Sequence, residues 1–174
     1  YWLARVDRLD GCAHLLGVMG PDEYAPFSND NYYTNRLVKL SLDYTEATLA
    51  QLQDSDPRRY AEAVGGLRLT EDERRRFRET AAALRLPRDA ARNLILQSAD
   101  FEEGAPIDFD AFWKDRSKPF GTFVSQERLY RSRCLKQGDV VSLLMALPGE
   151  LTDEQANVAF DYYEPLTTHD SSLS

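Results

Sequence analysis

At 174 residues the chain is long enough for one domain with its own core, and 43% apolar with 29% charged residues is an ordinary globular composition. A formal charge of -8 and a pI near 4.8 argue against a general nucleic-acid binder, which carries a basic face. No window approaches the roughly 18 uncharged apolar residues that a membrane span needs.

Cys12 and Cys134 form neither a CxxC pair nor a zinc pattern, so reduced thiols in a cytoplasmic protein are expected. His14 and His169 are the only histidines, too few for a histidine-rich metal centre. The Asn-Asp-Asn around Asp30 hints at a calcium loop but lacks its frame. No metal is expected. The chain opens within YWLARVDRL, an apolar and helix-like stretch, and stops at THDSSLS, so it reads as a piece of a longer protein.

In chain order, residues 17–35 (GVMGPDEYAPFSNDNYYTN) join turn formers and aromatics around two neighbouring carboxylates, Asp22 and Glu23. A helix is predicted from Tyr33 to about Gln53. Tyr33, Leu37, Leu40, Tyr44 and Ala47 form one apolar stripe on it; Val38, Leu42, Leu49 and Leu52 form a second, which suggests burial on two sides. A second helix is predicted from Thr70, where T-E-D-E makes a capping box, to about Arg85. Its Arg74, Arg75 and Arg76 read as a solvated face, with Glu71–Arg75 and Asp72–Arg76 as i,i+4 pairs.

Residues 87–125 are less regular: LILQSADF looks extended, and GAPIDFDAFWKDRSKPFG is turn-rich. A helical turn follows from Gln126. In KQGDVVSLLMALP the run Val140 to Leu147 is almost wholly apolar, predicting a helix shielded all round. A last helix begins at Thr152, with T-D-E-Q as a capping box, and stops before Pro165. The fold class is therefore mostly α.

Three places set polar chemistry against this apolar frame. In GPDEY, a carboxyl group held near aromatic walls has its ionised form disfavoured and can donate a proton; equally, Asp22 and Glu23 can cap the coming helix. Lys136 and Gln137 stand at the start of an apolar helix, where a cation opposes the helix dipole unless a ligand compensates it or the lysine snorkels to water. At TTHDSSLS a histidine and two serines make a natural anion cradle, although N-capping by Asp170 or Ser171 would account for the same residues.

The stretches GVMGPDEYAPFSNDNYYTN, LKQGDVVSLLMALP and FDYYEPLTTHDSSLS, in this order, resemble glycoside hydrolase family 65. The best-known members of that family are inverting phosphorylases of maltose, trehalose, kojibiose, nigerose and glucosylglycerol-type substrates. The resemblance runs from end to end, with YWLARV similar to the segment before the acid loop and LILQSADFEE similar to a strand-like stretch between helices. It implies an all-α fold, a portion of an (α/α)6 barrel, with residues 1–174 part of a single catalytic domain truncated at both ends.

The resemblance also assigns roles. Glu23 falls on the general acid, Lys136 and Gln137 on the pair contacting the donor glucosyl unit, and His169, Ser171 and Ser172 on the phosphate site. It implies inorganic phosphate as co-substrate with no cofactor, β-glucose 1-phosphate as product, a homodimer in the full-length protein, and no nucleic-acid or membrane partner. An α-glucoside hydrolase of the same family is the alternative enzyme, and a non-catalytic sugar-binding or all-α interaction module is the alternative of another class.

One departure bears on the acceptor. Maltose phosphorylases typically carry His after DEY and then VDNN, whereas here Ala25-Pro26-Phe27-Ser28-Asn29-Asp30-Asn31 follows. Kojibiose, nigerose or a glucosyl-polyol suits this lining as well as maltose. An incomplete barrel should expose apolar helix faces, so the isolated segment is expected to be inactive and marginally folded.

Overall fold

The computed structural model describes residues 1–170. Two compact units share the chain: Tyr1–His14 with Asn35–Arg85, and Leu15–Thr34 with the chain from Leu86 on. The described residues are predominantly helical, the class required of a portion of an (α/α)6 barrel, with two small antiparallel hairpins.

In the first unit, α1 is the single turn Trp2–Arg5. The helix-like reading of YWLARVDRL stops there, because β1 (Asp7–Leu9) pairs with β2 (Cys12–His14) in the register Leu9↔Cys12. Asp10 and Gly11 make the turn with φ of 49° and 78°. Positive φ at both central residues is the geometry that matches the right-handed twist of the strands.

The long helix α2 (Tyr32–Ser55) carries the chain between units, and α3 (Pro57–Leu67) and α4 (Glu71–Ala83) complete the first unit. The α3 start is fixed by Asp56, which accepts the Arg59 N–H, and by Pro57 in the first helical turn. Thr70 accepts the Glu73 N–H at 3.1 Å and starts α4. On α2, Val38, Leu42 and Leu49 are buried, but Leu40 and Tyr44 of the other stripe are exposed. The expected two-sided burial is therefore not met within this chain. A second buried face needs a second covering layer, and the apolar period alone does not supply one.

Of the α4 arginines Arg74, Arg75 and Arg76, the latter two keep to the expected solvated face and Arg74 departs from it. Arg74, 12% exposed, reaches Glu46 Oε1 at 3.2 Å and the Tyr60 hydroxyl at 2.9 Å, tying α4 to both α2 and α3. Asp72 pairs with Arg75, and Glu71 with Arg74, at i,i+3 rather than i,i+4. Arg75 and Arg78 remain half in water.

In the second unit β3 (Arg88–Asp89) pairs with β4 (Leu94–Ile95), and α5 (Phe109–Phe112), α6 (Gln126–Tyr130), α7 (Asp139–Ala146) and α8 (Asp153–Tyr163) follow. The α8 start carries a complete capping box, Thr152 Oγ1 taking the Gln155 N–H while Gln155 Oε1 takes the Thr152 N–H. The main core gathers Tyr32, Leu94, Ile95, Leu135, Val140, Leu143 and Tyr163. A second cluster stacks Trp113, Phe120, Leu129 and Cys134 under Phe109, so the aromatics of the turn-rich stretch serve packing. α7 buries Val140 and Leu143, yet Met145 is 88% exposed. The all-round shielding expected of this helix is thus absent, because only one of its faces meets α8 and the loops.

Candidate active site

The loop of residues 19–27 is closed at its base by a two-way backbone bridge, Val18 N–H to Ser28 O at 2.9 Å and Ser28 N–H to Val18 O at 2.8 Å. One step outward, Leu15 and Asp30 repeat the closure, the Leu15 N–H reaching the Asp30 carboxylate at 3.0 Å. Four successive loop N–H groups then find partners. Asp22 N–H donates to Asp139 Oδ1 (2.7 Å), Glu23 N–H to Gln137 Oε1 (3.3 Å), Tyr24 N–H to Asp22 Oδ1 (3.2 Å) and Ala25 N–H to Asp22 O (3.2 Å). These four bonds brace the loop around Asp22 and Glu23.

The two neighbouring carboxylates have opposite environments. Asp22 is fully buried, and burial pushes its pKa up to about 6 against the opposing pull of its hydrogen bonds. Glu23 is half-exposed and faces Lys136 and Gln137. Its Oε2 lies 2.7 Å from Lys136 Nζ and its Oε1 3.4 Å from Gln137 Nε2. The hydrogen bond from Lys136, then that from Gln137, holds the Glu23 carboxyl below the usual range. The raised carboxyl foreseen in GPDEY is therefore Asp22 and not Glu23: the first residue is buried among Gln97, Asp139 and backbone N–H groups, while the second points at a cation.

Three of the six expected site residues, Glu23, Lys136 and Gln137, are in direct contact. His169 lies nearby in the chain path, because Leu135 and Thr167 form a parallel bridge: Leu135 N–H donates to Leu166 O and Thr168 N–H to Leu135 O, each at 2.9 Å. One short segment, Cys134 to Gln137, thus borders the loop of residues 19–27 and the run leading into His169. The His169 ring faces Glu164, with Nε2 3.1 Å from the backbone oxygen and 3.5 Å from Oε1. Asp170 accepts the Phe120 N–H at 2.5 Å and the Thr168 hydroxyl at 2.7 Å. Ser171 and Ser172 lie outside the described residues.

Residues that the sequence did not single out hold this arrangement together. Asp139 is buried and its pKa is raised to about 7, chiefly by burial. Its Oδ2 accepts from Asn31 Nδ2 at 2.6 Å. The Asn31 amide has a fixed orientation, because its Oδ1 caps α2 by accepting the Thr34 N–H at 3.0 Å. Gln97, also fully buried, bridges the two acids: Nε2 donates to Asp22 Oδ2 (3.1 Å) and Oε1 accepts the Asp139 N–H (3.1 Å). The Gln97 backbone is fixed by the Tyr163 hydroxyl and by Tyr32. The one available signal was a lone amide inside the apolar run LILQS.

On this mainly helical frame the Glu23 carboxylate thus meets a lysine and a glutamine brought from the segment before α7. All of residues 1–174 match the glycosyl hydrolase family 65 central catalytic domain, and the chain belongs to that family. It is 32% identical over 173 residues to the α,α-trehalose phosphorylase of Geobacillus stearothermophilus, covering 99% of this chain and 22% of that protein. It is 30% identical to the kojibiose phosphorylase of Halothermothrix orenii, covering 100% of this chain and 22% of the relative. Among solved structures, a putative kojibiose phosphorylase from the human microbiome superposes with a TM-score of 0.85 at 27% identity, over 99% of this chain and 24% of that one. The chain thus spans about a fifth of the length of the relatives it matches. Among the described residues no helix is long and apolar enough to cross a membrane.

Proposed function

We propose that this segment contributes the proton-donating side, and the approach to the phosphate side, of an inverting α-glucoside phosphorylase. Glu23 is the general acid, Lys136 and Gln137 hold the donor glucosyl unit, and His169 with Ser171 and Ser172 receives inorganic phosphate. A phosphate oxygen bonds to C1 while the bond from C1 to the glycosidic oxygen breaks, and that oxygen takes the Glu23 proton as it leaves. The proton of hydrogenphosphate returns to Glu23 over the cycle, and β-glucose 1-phosphate and the free acceptor are released. No catalytic base is needed, because phosphate is already an anionic nucleophile where a hydrolase must activate water.

The observation that carries this reading is the shared segment from Cys134 to Gln137. It meets Glu23 through Lys136 at 2.7 Å on one side and the run entering His169 through the Leu135 bridge on the other. A proton donor and an anion site flanking one sugar require such a junction. The trehalose and kojibiose phosphorylases among the relatives support the substrate class, and the changed residues from Ala25 to Asn31 leave kojibiose, nigerose or a glucosyl-polyol as suitable a substrate as maltose.

The reading is tested in the intact protein by following glucose 1-phosphate and glucose formed from trehalose, kojibiose, nigerose and maltose, with and without phosphate. Phosphate-dependent glucose 1-phosphate release is expected from at least one of them. Glucose release at the same rate without phosphate would make the enzyme a hydrolase. Glu23→Gln should lower turnover by about 10²–10⁴-fold, the usual contribution of a positioned acid.

A further inference from the structure

We propose that Asp22 is a positioning residue that aims Glu23, acting through a buried clamp whose second jaw is Gln97; this rests on Glu23 being the proton donor. The Asp22 carboxylate stands on both sides of the Glu23–Lys136 contact. Its Oδ1 accepts the N–H of Tyr24 (3.2 Å), the residue after the acid, and the N–H groups of Lys136 (2.9 Å) and Gln137 (3.4 Å). One oxygen therefore ties the acid's own loop to the segment carrying both of its side-chain partners.

The clamp is locked from behind. Asp22 Oδ2 is held by Gln97 Nε2, Gln97 Oε1 by the Asp139 N–H, and Asp139 Oδ1 by the Asp22 N–H, which closes a ring of three buried residues. None of the three exposes more than a trace of surface. Asp22 touches no open face where a sugar could sit, so its effect on the chemistry runs through Glu23. A misplacement of about 1 Å at a reacting group can cost on the order of 100-fold.

The ring's donor pattern provides a charge-neutral test. In Asp22→Asn, Oδ1 still receives the three backbone N–H groups, but the new amide nitrogen meets Gln97 Nε2, donor against donor. Turning the Gln97 amide only moves the conflict to the Asp139 N–H. Gln97→Glu on top of Asp22→Asn supplies two acceptors where two are needed and restores the charge of the pair.

The experiment measures kcat and KM of the intact protein, its Asp22→Asn variant and the Asp22→Asn/Gln97→Glu double variant. It uses two donors, the preferred disaccharide and α-glucosyl fluoride, whose leaving group departs without a proton. Asp22→Asn is expected to lower kcat on the disaccharide by about 10- to 100-fold with KM nearly unchanged. The loss should shrink to a few-fold on the fluoride, and the double variant should return within a few-fold of the parent.

Equal losses on both donors, or parental kcat for a folded Asp22→Asn, would overturn the clamp. Should Asp22→Asn not fold, the double variant decides alone: folded and near-parental supports the clamp, whereas unfolded or still impaired on the disaccharide alone rejects it. Glu23→Gln run beside these separates the two ideas. If it too is fully active on the disaccharide, the acid assignment fails; if it is inactive there while Asp22→Asn is parental, only the clamp fails.

Discussion

Lys136 Nζ stands 2.7 Å from Glu23 Oε2, although 113 residues separate them in the chain. The contact keeps the Glu23 carboxyl ionised and its pKa below the ordinary glutamate range. In its proposed role as general acid Glu23 must carry a proton, so a bound sugar that draws Lys136 and Gln137 onto its own hydroxyls would release Glu23 to be protonated.

Lys136→Met tests that coupling. Removing the cation lifts the Glu23 pKa, so the basic limb of the kcat/KM profile should move to higher pH. On the proposed role of Lys136 as a charged donor to the sugar, its loss should also lower kcat/KM by about 10- to 150-fold, as expected from ~1.5–3 kcal/mol. A pH profile superimposable on the parent's would show that Lys136 does not control the acid.

The buried acids give stability a definite pH dependence. Asp22 at about 6 and Asp139 at about 7 bind protons more tightly folded than unfolded, where both titrate near 3.8. The folded state therefore holds more protons across that window, and stability falls as pH rises from about 4 to about 7. The slope is at most ~1.4 kcal/mol per pH unit for each acid that is protonated only in the folded state. Asp139→Asn should flatten this fall, seen by denaturant titration of the intact protein at several pH values. It should also lower stability at pH 4 by about 1–3 kcal/mol, since Asn31 Nδ2 would then face a donor. A variant curve parallel to the parent's would rule out Asp139 as the titrating group.

Gly20 has no room for a side chain. A Cβ there would lie 2.6 Å from Asn31 Nδ2 and nearer still to Asp139 Oδ2. Gly20→Ala should displace the clamp and cost more than about 2 kcal/mol, in the range of overpacking and broken buried networks. A thermal midpoint unchanged within a degree would contradict this close approach.

Tyr163 links the core to the clamp. Its hydroxyl donates to Ile95 O and accepts the Gln97 N–H, each at 2.8 Å and fully buried. Tyr163→Phe leaves two buried backbone groups unpaired and should cost roughly 1–3 kcal/mol. The protection of the Gln97 amide against hydrogen exchange should drop more than that of α8, and uniform loss along both would point to general loosening instead.

Features that depend on near neighbours in the chain are mostly legible in the sequence. Thr70 and Thr152 announce their helices because a cap needs only residues a few places apart; both side chains cap, and the full box closes at Thr152. The three family stretches locate the acid loop, the Lys-Gln pair and the run into His169, and they lead to the family to which the chain belongs. Two further local signals carry structure that the apolar spacing hides. Asp10-Gly11 between short strands marks the first hairpin, and Asp56-Pro57 marks the start of α3.

Helix burial is less legible, for a physical reason. The spacing of Leu40 and Tyr44, or the apolar run through Met145, states that a face can be buried and not that a partner lies against it. Likewise, GPDEY declares two carboxylates near aromatics without saying which one turns inward.

Composition, caps and the long motifs, then, are enough for the helical class, the family and the identity of the candidate acid, since each depends on neighbours along the chain. Which carboxylate is buried, and what holds the other in place, depends on Gln97 and Asp139 closing on Asp22 from 75 and 117 residues away, with Asn31 bracing Asp139. A buried charge is settled only by every donor around it, and those donors become neighbours only when the chain has folded.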